Sequence, residues 1–95
     1  LLVSPASREI WDRCAKEGIL SDLSEAGAVV LASSCGACFG IHSGAIGAGE
    51  VCISSTNRNF IGRMGSKQGE VYLASPLSVA ASAITGELTD PRQFL

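Results

Sequence analysis

The chain has 95 residues, of which 46% are hydrophobic and 17% charged, and it carries a net charge of −2. That length suits one small domain, and the apolar content excludes a disordered chain. The charge excludes a global basic field that would gather nucleic acid or an anionic membrane. Ala and Gly fill 23 positions and aromatic residues only 5%, so a core here relies on close backbone approach rather than on large side chains.

The chain opens Leu1-Leu2-Val3 without an initiator Met and ends Phe94-Leu95, which reads as a piece of something longer. Ser7 to Glu17 predicts an amphipathic helix, with Ile10, Trp11, Cys14 and Ala15 on one stripe. Ser4 or Ser7 caps its start and Gly18 stands after its end. Asp22 to Ala26 predicts a short second helix stopped by Gly27. Ala28 to Ala32 is a continuous apolar run, the pattern of a parallel strand covered on both faces.

Residues 33–49 form a Gly- and Ser-rich loop after that strand, with a turn of helix expected over Gly40 to Ile46. Ala26 to Gly49 carries no charge over 24 residues. Six Gly, a His, two Cys and three Ser interrupt it, which excludes a membrane-spanning helix. Val51 to Ser55 and Val71 to Ala74 predict two more strands, separated by a polar loop or short helix over Thr56 to Gly65. Ser75-Pro76 opens a helix that runs through Ile84 and ends at Gly86. Thr89-Asp90-Pro91-Arg92 is a turn leading out. The order of elements predicts an α/β class of fold.

Two constellations carry chemistry. The first is Cys35-Gly36-Ala37-Cys38-Phe39-Gly40. Two thiolates separated by two residues suit one soft metal centre, zinc or iron–sulfur. A thioredoxin-type redox pair or a structural pair fits the same spacing. Four Cys in a chain with nothing else that reads as secreted favour a reducing compartment. The second constellation runs from Ser54 to Gly65. Arg58 and Arg63, with Asn57 and Asn59, sit in a stretch from Ala26 to Ser66 whose only charges are Glu50 and these two Arg. Guanidinium groups in that setting bind carboxylate or phosphate in a fork, unless Glu50 or Glu70 pairs with one of them. His42 reads as a packed loop residue, and Cys14 and Cys52 read as small core residues.

Taken in order, these motifs resemble the aconitase superfamily. The residues that carry the resemblance are Cys35-Gly36-Ala37-Cys38-Phe39-Gly40, Gly49-Glu50-Val51-Cys52, Thr56-Asn57-Arg58-Asn59-Phe60 and Gly62-Arg63-Met64-Gly65. Tyr72 to Pro76, Ala80 to Ala83 and Thr89 to Arg92 continue it, and Pro5 to Arg8 and Glu25 to Ala28 extend it to nearly the whole chain. Within the superfamily the likeness is to the large-subunit branch of 3-isopropylmalate dehydratase and homoaconitase. Ala37 stands where the family often has Pro.

The resemblance implies a single partial domain over 1–95: part of a three-layer α/β/α domain with a mostly parallel sheet, from the third-domain, C-terminal part of a large subunit. It implies a [4Fe–4S] cluster with Cys35 and Cys38 as two of three Cys ligands, the third lying outside this chain. It further implies that Asn57, Arg58 and Arg63 contact substrate, with the two Arg on its carboxylates. No catalytic base is expected within the chain. The activity implied is isomerisation of a hydroxy di- or tricarboxylic acid by dehydration and rehydration, here in leucine biosynthesis. Homoaconitase, aconitase and citramalate-type isomerases are the near alternatives. A separate small subunit, a cytoplasmic location, no nucleic-acid partner and no membrane partner follow from the same reading, and the 95 residues alone should be inactive. Two readings from other classes are an RNA-binding regulatory relative, which the acidic balance opposes, and a free-standing thiol redox or zinc module.

Overall fold

The structure is a computed structural model that describes residues 1–34, 44–56 and 60–94. Cys35, Cys38 and His42 lie outside the described residues, as do Asn57 and Arg58.

The chain begins with a strand that no periodicity announces, β1 (Leu2–Val3). It leads into helix α1 (Arg8–Lys16). Ser7 caps α1, its Oγ accepting from the Ile10 N–H at 3.2 Å. Ser4 does not share that duty. Its Oγ lies 3.1 Å from the Ala32 carbonyl and accepts from the Ser34 N–H at 3.3 Å. Exposed i,i+4 pairs, Arg8–Asp12 at 3.0 Å and Arg13–Glu17 at 3.2 Å, support the outer face, each contributing no more than ~0.5 kcal/mol.

Helix α2 (Ile19–Glu25) starts earlier than the sequence suggested. Gly18, at φ +80°, turns the chain from α1 into α2, so the break between the helices is two residues, Glu17 and Gly18. The end of α2 is a Schellman motif. Gly27, at φ +93°, donates to the Ser24 carbonyl at 3.0 Å, and the Ala28 N–H reaches the Leu23 carbonyl at 3.0 Å.

That turn delivers β2 (Val29–Val30), which pairs parallel with β1 in the register Leu2↔Val29 and Val3↔Val30. Strand β3 (Val51–Ser54) pairs parallel with β4 (Glu70–Leu73), from Val51↔Glu70 to Ser54↔Leu73. Helix α3 (Pro76–Thr85) follows, capped by the Ser75 Oγ, which accepts from the Ser78 N–H at 3.2 Å, and ended by Gly86 at φ +82°. The final turn, Pro91–Phe94, is a short 3₁₀ helix.

All strand pairings among the described residues are parallel, as the α/β expectation required. They form two two-stranded sheets, β1-β2 and β3-β4, rather than one. The helical turn expected over Gly40 to Ile46 is not what its described part forms. Ile46 makes an isolated parallel bridge with Gly65, because its peptide N–H and C=O both find partners on that segment.

Helix α3 lies against β3, α1 against α2, and α2 against β2. The core between them is thin. Among the described residues Met64 and Ala81 are the buried apolar ones, and no large side chain is fully enclosed. Ile10, Ile61, Leu77, Ile84 and Phe94 are exposed. The accessible surface is 6571 Å², whereas an independent monomer of 9.7 kDa exposes about 5,100 Å². The stripe on α1 illustrates the shortfall: Trp11 and Cys14 are half-buried, while Ile10 and Ala15 stay open.

Candidate functional site

The candidate residues follow β2 and β3 in the chain, on the carboxyl side of each strand, where parallel α/β folds place their sites. The Ser4 hydroxyl fixes the exit of β2. It holds the Ala32–Ser34 backbone immediately before Cys35. The exit of β3 is held by a hydroxyl turn. The Ser54 Oγ accepts from the Thr56 N–H at 3.1 Å and donates to the Thr56 Oγ1 at 3.0 Å. Ser54 is buried, so this turn sets the direction in which the chain enters residues 57–59.

Arg63 is the one predicted substrate residue among the described ones. Its N–H donates to the Phe60 carbonyl at 3.0 Å, and its guanidinium carbon lies 5.4 Å from the centre of the Phe60 ring. That contact stacks one face of the guanidinium on the ring. Beneath the arm is a cavity of about 230 Å³ bordered by Ile46, Phe60, Arg63 and Val71.

Glu50 and Glu70 each accept a hydrogen bond from a near neighbour. The Glu50 Oε1 accepts from the Gly47 N–H at 2.6 Å, and the Glu70 Oε2 accepts from the Tyr72 hydroxyl at 3.0 Å. The Glu70 bond and charge push the Tyr72 phenol above its ordinary pKa.

Cys52 is half-buried in β3, and burial pushes its thiol pKa up. That favours the protonated, unreactive form, which fits a packing role. Cys14 is likewise a free thiol, on α1. Among the described residues no group of three or more His, Cys, Asp or Glu is placed to hold a metal ion. The Cys14 and Cys52 thiols therefore offer no ligand set. The soft, closely spaced donors of this sequence are Cys35 and Cys38, outside the described residues.

The structure also gives Ser4, Ser54 and Gly65 positions that the sequence reading did not assign them. Ser4 and Ser54 act through backbone bonds, and a Ser before a motif carries no signal of its own. Gly65 lies against the Ile46 backbone. Its only trace in the sequence is the Gly62-x-x-Gly65 repeat.

The family model described as the aconitase family (aconitate hydratase) matches residues 1–86. The chain belongs to the aconitase family. Its partial α/β architecture with parallel pairing is an aconitase-type one. Similar aconitase-family proteins include the 3-isopropylmalate dehydratase large subunit of Mycolicibacterium smegmatis, 53% identical over all 95 residues of this chain and 22% of that protein. Large subunit 1 of Methanopyrus kandleri is 55% identical over the whole chain and 23% of its own length. Large subunit 1 of Thermotoga maritima is 50% identical over the whole chain and 23% of its length. The chain thus spans about a quarter or less of the relatives it matches. No helix among the described residues is long and apolar enough to cross a membrane.

Proposed function

We propose that this chain is a segment of a hydro-lyase large subunit of the 3-isopropylmalate dehydratase type. In this reading the whole protein isomerises a hydroxy dicarboxylic acid by dehydration and rehydration, in the cytoplasmic synthesis of leucine. The observation that carries it is the whole-chain identity of 50–55% to proteins bearing that name. Their designation as large subunits supports a separate small subunit as partner.

In this proposal Arg58 and Arg63 form charge-assisted forks to the substrate carboxylates and Asn57 orients the hydroxyl end. The ring stacked on Arg63 supports the assignment of Arg63. Cys35 and Cys38 supply thiolate ligands for a [4Fe–4S] cluster, as the soft donor chemistry of the pair allows. When bound, such a cluster supplies Lewis acidity toward a departing hydroxyl group. The chain's own residues bind and orient, which matters because water must return to the neighbouring carbon.

The proposal extends to domain organisation: residues 1–95 form one partial domain completed by the rest of a longer polypeptide. A cavity of about 630 Å³ supports this, since its walls include Leu1, Leu2 and Ser4 beside β1 and Val51 to Ser54 of β3. Both strands pair on one side only among the described residues.

The test is the full-length protein, purified without oxygen with its small subunit and assayed on 3-isopropylmalate, homocitrate and citrate. Cys35→Ser should lower the iron content and the cluster absorbance. Arg63→Lys should leave the iron in place and raise KM about tenfold or more, because a point charge does not replace a planar fork. A protein that binds no iron, or turnover of none of the three acids, overturns the proposal.

A further inference from the structure

Residues 60–65 carry Arg63 on two consecutive turns, closed by Arg63 N–H to the Phe60 carbonyl at 3.0 Å and Gly65 N–H to the Gly62 carbonyl at 3.4 Å. Turns of this kind are soft unless something outside them fixes their position. The fixing element is the peptide of Ile46. Its N–H donates to the Met64 carbonyl at 2.7 Å, and its carbonyl accepts from the Ser66 N–H at 2.9 Å. Both bonds flank Gly65, which lies flat against the Ile46 backbone. Met64, the residue between Arg63 and Gly65, is buried.

We infer that Gly65 is a positioning residue for Arg63, and that the Ile46–Gly65 seam sets where the guanidinium meets its anion. This rests on the assignment of Arg63 to substrate carboxylate.

The steric argument is specific to backbone. A Cβ on Gly65 would press into the Ile46 carbonyl oxygen and stand 3.0 Å from the Ile46 nitrogen. Neither atom has a rotamer through which to yield, so the arm itself must move. Gly65 also sits at φ +131°, a conformation that L side chains rarely adopt. A shift of about 1 Å at a binding group costs on the order of 100-fold in rate. Gly69 touches the same seam from the side-chain direction: a Cβ there would lie 2.6 Å from Ile46 Cδ1 and 3.0 Å from Cγ1. Shortening Ile46 to Val removes the Cδ1 clash, while Cγ1 at 3.0 Å and the Gly47 carbonyl oxygen at 3.2 Å stay.

The experiment uses the full-length protein with its small subunit, and follows KM, kcat and iron content with 3-isopropylmalate. Gly65→Ala should lower kcat/KM about 100-fold, chiefly through KM, with iron content unchanged. In an Arg63→Ala background the same substitution should cost no more than about twofold, because residues acting as one unit are non-additive. Gly49→Ala, at φ +79° with open space around it, places a Cβ at another positive-φ glycine away from residues 60–65 and should leave KM unchanged.

An equal loss from Gly65→Ala in both backgrounds overturns the inference, since the glycine would then act independently of Arg63. If Arg63→Ala alone leaves kinetics unchanged, the substrate assignment has failed and the inference fails with it. Should Gly65→Ala not fold, Gly69→Ala decides: KM should rise and Ile46→Val should restore it in part. A Gly69→Ala protein that Ile46→Val does not restore also overturns the inference.

Discussion

Replacing Ser54 by Ala isolates how a strand end positions the residues that follow it. The substitution removes the acceptor of the Thr56 N–H at 3.1 Å and the donor to the Thr56 hydroxyl at 3.0 Å. Each such bond contributes about 0.5–1.5 kcal/mol net. Ser54 is buried but Thr56 is only half-buried, so water regains part of the loss. About 1 kcal/mol for the N–H and about 0.5 for the hydroxyl pair give about 1.5 kcal/mol, close to tenfold in an equilibrium. That loss falls on the turn entering Asn57 and Arg58, so KM for 3-isopropylmalate should rise about tenfold while iron content holds. Ser54→Thr keeps the hydroxyl and should stay within about twofold of wild type on the same scale. The assay is KM and the urea midpoint of full-length protein, measured without oxygen. A Ser54→Ala protein that loses stability but keeps its KM, or a Ser54→Thr protein as impaired as the Ala one, would refute the reasoning.

Ser4→Ala removes the hydroxyl that holds Ser34 beside Cys35; iron should be lost to a chelator about two- to fivefold faster, in line with one exposed hydrogen bond. Ser75→Ala takes away the α3 cap and should destabilise by about 1 kcal/mol, seen as faster exchange of the Ser78 amide. Asp90 is held below its ordinary pKa by hydrogen bonds from the Arg92 side chain and backbone. Its contribution is complete above the unfolded carboxylate value of about 3.9 and is lost as pH falls through the lower folded value. A carboxyl NMR titration of Asp90 should show that depressed midpoint, and Arg92→Gln should return it toward the ordinary value.

The candidate site was legible where chemistry resides in side-chain type. The Cys35/Cys38 spacing and the isolation of Arg58 and Arg63 in an uncharged stretch are visible in the sequence, and the motif order indicated the family. The pattern also placed α1, α3, β3 and β4 within a residue or a few of their bounds, because caps such as Ser7 and Ser75 and breakers such as Gly86 act locally. β1 escaped because two residues carry no period and are a strand only through Val29 and Val30, more than 25 residues away. α2 began early because Gly18 serves two helices, which its own conformation allows but its neighbours do not announce.

The sequence by itself determined the local elements and the identity of the groups proposed to meet substrate and metal, since helix periodicity, capping and donor chemistry depend on near neighbours. Only the tertiary structure decided that the Ser4 hydroxyl holds the Ala32–Ser34 backbone and that Ile46 meets Gly65. Those contacts are backbone hydrogen bonds and close approaches between distant segments. Their partners are peptide groups, which every residue carries alike, so no side-chain pattern marks them in advance.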